Sequence, residues 1–221
     1  MSSLIICLPL GHSFDFFTFS NIFANVKFIY WPDIDSESRI SQLADTIIEQ
    51  NREICNKADI ILGISIAGLL AIEIANKKEN IQKVILISSI KSAKEKPNSF
   101  KIFKFIRLYN ILPISLLNGN TLLMQFIYKL WYLSSEKNAT KYYQKVIKNE
   151  KPQQIRKTLR LLFAWNGQLS ERKKVLHIHG TNDQIFPIRK LHNVEIIDKA
   201  EHFNIMLYKS KIISLINAFI A

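Results

Sequence analysis

The stretch Asp59-Ile60-Ile61-Leu62-Gly63-Ile64-Ser65-Ile66-Ala67-Gly68-Leu69-Leu70 decides the fold. Asp59 to Gly63 is a short run of Ile and Leu, the composition of a strand buried on both faces. From Ile66 to Lys77 the apolar run continues past strand length and closes on charged residues, which reads as a helix. Between them sits a turn with Gly63 and Ala67 two positions either side of Ser65. Large side chains there would collide with the neighbouring strand or helix backbone, so the small residues permit a tight turn that thrusts the serine hydroxyl outward. The first N–H groups of the helix point at the same spot and favour negative charge. Taken alone the pattern supports two readings: a GxSxG-type nucleophile elbow with Ala67 in place of the second glycine, or an ordinary strand-to-helix turn.

Outward from this unit the alternation repeats. Leu4–Leu10, Lys27–Trp31 and Lys83–Ile90 have the composition of buried strands, and Val175–His179 and Val194–Ile197 add two more. Helical spacing follows near Ser13, over Ser36–Lys57 and over Phe203–Ile220. Crossovers long enough to hold helices predict a parallel sheet covered on both faces. The pattern breaks between Lys91 and Lys174, where four helices are expected, around Phe100–Tyr109, Thr121–Leu133, Thr140–Lys148 and Pro152–Trp165. The expected organisation is an α/β core from residues 1–90 and 175–221, with residues 91–174 inserted after the fourth strand as a helical subdomain. Aromatic residues of this insertion, among them Phe100, Phe163 and Trp165, are expected to form its own core.

Composition fits a folded globule. The 221 residues are 48% hydrophobic and 22% charged, which gives enough apolar surface to offset chain entropy. Two cysteines, Cys7 and Cys55, are too few for a disulfide framework, so a reducing cytoplasm is the expected compartment. The start lacks a basic n-region and its apolar run is short for a signal peptide, and the apolar run Ile60–Ile72 is well short of a membrane span. The net charge of +12 calls for an anionic partner to be considered. It is concentrated: residues 91–174 hold 18 Lys and Arg against four acids, and the remainder is close to neutral. Either a Lys-rich helical surface is simply solvated, or it meets an anionic substrate or an acidic carrier protein, in which case Arg156, Lys157 and Arg160 on one helix are the candidates to face it. No base-reading motif accompanies the charge, so nucleic acid is not expected.

Two further segments share the position of the Ser65 turn, just after a strand. These are His179-Gly180-Thr181-Asn182-Asp183-Gln184-Ile185-Phe186-Pro187 and Ala200-Glu201-His202-Phe203. The carboxyl ends of parallel strands lie along one edge, where ligands bind. Serine, acid and histidine in this order are the three groups of nucleophilic catalysis: Ser65 as nucleophile, His202 as general base and then acid, and Asp183 orienting the imidazole. Asp198 is a rival acid within the last strand. His177 and His179 alternate along a strand as metal ligands sometimes do, but without a supporting Asp or Cys set they read as packing in the core or behind the site residues, and no metal or cofactor is called for.

Through these three segments the chain resembles the α/β-hydrolase superfamily over nearly its whole length. The resemblance implies an oxyanion hole made of the backbone N–H of Ile66 and of His12, which follows Leu10-Gly11 after the first strand. The ring of His12 is the alternative contribution of that residue. It also implies a trimmed fold of about six mostly parallel strands whose insertion corresponds to the lid. The implied activity is a carboxylesterase or thioesterase working through an acyl-enzyme. An acyl-carrier-linked ester is one implied substrate, as in pimeloyl-carrier methyl ester esterases. The alternatives are a lyase or synthase using the same triad, as in the menaquinone-pathway member, and a non-catalytic ligand-binding member.

Overall fold

Residues 4–7, 25–35, 38–105, 152–202 and 204–221 are described by the computed structural model. Six strands form one sheet in the order β2-β1-β3-β4-β5-β6, every neighbouring pair parallel. The strands are β1 (Leu4–Cys7), β2 (Val26–Ile29), β3 (Ile60–Ile64), β4 (Lys83–Ile87), β5 (Lys174–Gly180) and β6 (Glu195–Ile197). The helices are α1 (Ile40–Gln50), α2 (Arg52–Lys57), α3 (Ile66–Lys77), α4 (Asn98–Phe105), α5 (Pro152–Ala164) and α6 (Lys209–Ile220). The expected parallel sheet with helices and an excursion after the fourth strand is therefore present. The helix expected near Ser13 and the two middle helices of the insertion lie outside the described residues.

The sheet is central because its side chains alternate between two buried faces. Ile61, Val84 and Leu86 face a core shared with α1, α3 and Phe100, Leu161 and Phe163 of the insertion. Ile60, Leu62, Ile64, Ile85, Ile87 and Ile178 face the opposite core, closed by Ile212 and Ile216 of α6. Helix α3 is buried from Ile66 to Ile72. That explains why its sequence shows no polar face until Glu73.

Element boundaries depart from expectation where local polar groups intervene. The single helix expected over Ser36–Lys57 starts at Ile40, after Ser38 N–H and Oγ–H bond to Asp35 Oδ1, and it breaks at Asn51. There the Asn51 side chain donates to the Ile47 carbonyl at 3.0 Å, ending one helix while its backbone opens the next. Strand β4 stops at Ile87 and not Ile90 because Ser88 has a φ of 46°. The last helix is preceded by a 3-10 turn over Asn204–Tyr208.

The two ends of the insertion are joined to one another and to the core. Ser92 pairs with Gln168, Ala93 N–H donates to the Gly167 carbonyl at 2.9 Å, and Leu169 N–H donates to the Lys91 carbonyl at 2.8 Å. Lys96, 8% exposed, donates its ammonium to the Phe163 and Trp165 carbonyls at the end of α5. A cation there also complements the negative end of the helix. Phe100 meets Phe163 edge to face with centroids 5.1 Å apart, and Trp165 Nε1–H donates to Glu73 at 2.7 Å. Phe100, Phe163 and Trp165 thus belong to the main core, not to a separate one of the insertion. Among the described residues no helix is long and apolar enough to cross a membrane. Replacing Lys96 by Met keeps the aliphatic stem but strips the donor from two buried carbonyls; urea denaturation should show a loss of about 2–3 kcal/mol. An unchanged midpoint would mean that the ammonium does not hold this junction.

Candidate active site

The register of the sheet sets the site. Gly63 of β3 lies beside Leu86 of β4, Ile87 lies beside Ile178 of β5, and Gly180 lies beside Ile197 of β6. The loops leaving β3, β5 and β6 therefore emerge along one edge, and the Ser65, Asp183 and His202 side chains meet there.

The β3–α3 turn is held tightly. Ser65 has φ 53° and ψ −127°, a backbone conformation that non-glycine residues rarely adopt. Its N–H donates to the Ile87 carbonyl at 2.9 Å, and its own carbonyl accepts from Gly68 N–H at 3.0 Å and from Ser89 Oγ–H at 2.7 Å. A Cβ on Gly63 would lie 2.5 Å from the Ala67 carbonyl oxygen and 2.6 Å from Gly68 Cα. A Cβ on Gly68 would lie 2.2 Å from Ser89 Oγ. The second position that must be bare is thus Gly68, and the methyl of Ala67 is accommodated in the core.

From this turn Ser65 Oγ stands 2.7 Å from His202 Nε2, and His202 Nδ1 stands 2.7 Å from Asp183 Oδ2. A carboxylate only accepts, so Nδ1 carries the proton and Nε2 is left to receive one from the serine. His202 is 2% exposed and Asp183 1%. A buried carboxylate needs donors, and Asp183 has them: Ile185 N–H at 2.9 Å and Phe186 N–H at 2.8 Å on Oδ1, and the imidazole on Oδ2. Phe186, fully buried, covers the imidazole with ring centroids 5.6 Å apart. Asp198, the rival acid, is exposed and accepts from Thr181 Oγ1 at 3.4 Å.

Ile66 is the first residue of α3, directly after Ser65, so its N–H has no acceptor one turn back within the helix and lies at the helix's positive end. His12 lies outside the described residues. Of the three basic residues expected to face a partner, Lys157 donates to the Ile34 carbonyl, and Arg160 Nη2 donates to the Ser38 carbonyl at 2.6 Å and to that of Asp35 at 3.2 Å. Both thereby tie α5 to the residues before α1. Arg156, on the same helix, has in-chain interactions as well.

Sequence reasoning passed over Ser89 and the work of the two strand histidines. His177 Nε2–H donates to the Ser89 carbonyl at 2.9 Å, behind the residue whose hydroxyl holds the serine turn. The available signal was Ser88-Ser89 directly after a strand, at the same sheet edge as Ser65.

No family model matches the sequence, and no curated protein does. Solved structures do. MenH from S. aureus superposes with a TM-score of 0.70 at 17% identity, covering 98% of this chain and 92% of that one. A thermophilic esterase from Thermogutta terrifontis gives 0.70 at 13% identity, covering 100% and 89%. A structure from work on carboxylesterases of the thaumarchaeon Nitrososphaera gargenis gives 0.71 at 13% identity, covering 99% and 90%. The chain has the α/β-hydrolase fold.

Burial pushes His177 down from 6.5 to about 3, with the neighbouring His179 adding to the effect and the bond to Ser89 opposing it. The folded protein keeps this ring neutral where the unfolded chain protonates it, so the unfolded state binds more protons. Stability should therefore fall as pH drops from about 6.5 towards about 3 and level off below that. Relative to His177→Leu, the native protein should lose up to about 1.4 kcal/mol per pH unit in this window, measured by urea denaturation at stepped pH. Parallel profiles for the two proteins would contradict the assignment.

Proposed function

We propose that the protein is a serine hydrolase that cleaves a carboxylic ester or thioester through an acyl-enzyme on Ser65. The observation that carries this reading is the unbroken contact Ser65 Oγ, His202 Nε2, His202 Nδ1, Asp183 Oδ2, with 2.7 Å at each junction, built on a turn that holds the serine in a strained backbone conformation.

The reaction follows from the donors and acceptors present. Ser65 Oγ attacks the substrate carbonyl carbon while its proton passes to His202 Nε2. The imidazolium formed is stabilised by Asp183, whose Oδ1 stays fixed by two amides and whose Oδ2 keeps Nδ1–H in place. The Ile66 N–H stabilises the developing oxyanion, with His12 as the second donor that the resemblance suggests. His202 then returns the proton to the leaving alcohol or thiol, the acyl group stays on Ser65, and water repeats the sequence to release the acid. The likeness to a thermophilic esterase and to the Nitrososphaera gargenis structure supports this reading through the fold it shares with them.

An acidic acyl carrier as the natural presenter of substrate rests on the positive charge of residues 91–174 alone. Lys157 and Arg160 contribute to that charge while also binding backbone carbonyls within the chain. A lyase or synthase on the same three residues is the competing chemistry; it needs the base but not a turned-over acyl-enzyme.

Short-chain p-nitrophenyl esters and thioesters test the reading. Ser65→Ala, His202→Ala and Asp183→Asn should each lower kcat by about 10³-fold or more while leaving the fold intact by circular dichroism. Ester turnover by Ser65→Ala within tenfold of the native protein would reject Ser65 as the nucleophile. Loss of a proton-abstraction reaction in the same variants, with no ester turnover in the native protein, would favour the lyase.

A further inference from the structure

Two histidines of β5 stand in the core beside the three-residue chain. His177 is 2% exposed and His179 0%. Each places Nε2 on a backbone carbonyl, that of Ser89 for His177 at 2.9 Å and that of Phe186 for His179 at 2.8 Å. A carbonyl only accepts, so both rings carry their proton on Nε2. Their Nδ1 atoms are buried with no partner among the described residues. A bare buried nitrogen is costly, and an aliphatic side chain would fill the same space without that cost. Packing alone therefore leaves the imidazole unexplained.

What His179 faces supplies the reason. Its Nε2 lies 2.8 Å from the Phe186 carbonyl and 3.2 Å from Asp183 Oδ2, the oxygen that receives His202 Nδ1–H. Phe186 ends the Asp183–Phe186 turn, and its N–H, with that of Ile185, binds the other oxygen of Asp183. One donor from the rigid strand thus fastens the far end of the turn and sits against the working oxygen. Gly180, next along the strand, lets the segment that leads to His202 approach β5, since a Cβ there would lie 2.2 Å from the Ala200 carbonyl oxygen.

We propose that His179 is a positioning residue: by holding the Phe186 carbonyl it fixes the turn that presents Asp183 Oδ2 to His202 Nδ1. The inference deepens the hydrolase reading and rests on it for its catalytic consequence, but its structural content stands apart from that reading. Burial lowers the tendency of His179 to take a proton, against the opposing effects of Asp183 and the Phe186 bond. The titratable groups described around it are Asp183 and His202, with His177 edge to face at 5.6 Å along the strand and Lys91 acting on His177 beyond. A neutral ring is what the arrangement requires. A cationic His179 would compete with the His202 imidazolium for the same carboxylate oxygen.

The test uses the full chain. Nitrogen-15 spectra of the native protein should show His179 protonated at Nε2 only and not titrating across neutral pH; an Nδ1–H tautomer or a titrating ring overturns the proposal without any variant. In His179→Leu the downfield Nδ1–H proton signal of His202 should shift or broaden, and kcat for a p-nitrophenyl ester should fall about 10–100-fold. KM should stay within about twofold, because His179 is fully buried and acts only through the Asp183 turn. His179→Gln, which keeps a donor near the Nε2 position, should restore the signal and bring kcat to within about threefold of the native value. A folded His179→Leu with native signal and kcat, or a His179→Gln no better than it, overturns the proposal. Should His179→Leu not fold, the native tautomer and the His179→Gln signal decide. Should the native protein turn over no ester, the hydrolase reading fails while the proton and nitrogen signals still test the positioning.

Discussion

The close approach of the start of α3 to the end of β3 is the constraint from which the rest of the site follows. With no side chain on Gly63 or Gly68, the chain reverses within a few residues and leaves Ser65 at a φ that a serine adopts only when its surroundings hold it there. Those surroundings are visible: the Ile87 carbonyl takes its N–H, and Ser89 and Gly68 donate to its carbonyl. A relaxed turn would allow a serine rotated towards the helix. The strained one directs Oγ to the His202 ring, at the positive end of a helix.

The second requirement is a buried carboxylate that remains an acceptor for the imidazole. Asp183 is removed from water, and the compensation is local: two amides of its own turn and one ring N–H. The turn hangs from β5, the β5 register is fixed by β4, and β4 also supplies the carbonyl that anchors Ser65. Ser65 and Asp183, which follow β3 and β5, are therefore both positioned through the strand between them, β4. The ends of the inserted segment are rooted in the same core through Phe100, Phe163 and the Lys96 ammonium.

Much of this was legible in the sequence because the strongest signals are local. Buried parallel strands are short runs of Ile, Leu and Val, and the serine, acid and histidine each follow one of them. What was not legible depends on contacts between distant segments or on competition by a single polar group. Asn51 interrupts a helix whose apolar period continues across it, because its amide reaches the Ile47 carbonyl. Ser88 ends β4 through its backbone, although an apolar residue follows again at Ile90. Gly68 looked like one more helix residue until Ser89 was found against it, and Lys157 and Arg160 looked free for a partner until the carbonyls of the Ile34–Ser38 loop were found in reach. His177 and His179 alternate on a strand, and the carbonyls they hold, that of Ser89 after β4 and that of Phe186 in the turn after β5, are brought to them only by the fold.

The central claim is that Ser65 is an activated nucleophile. Treating the folded protein with a fluorophosphonate and mapping the adduct by peptide mass spectrometry tests it most directly. The account predicts a single adduct on the peptide containing Ser65, abolished by Ser65→Ala and strongly slowed by His202→Ala. No adduct on the folded native protein, or equal labelling of Ser65→Ala, would contradict it.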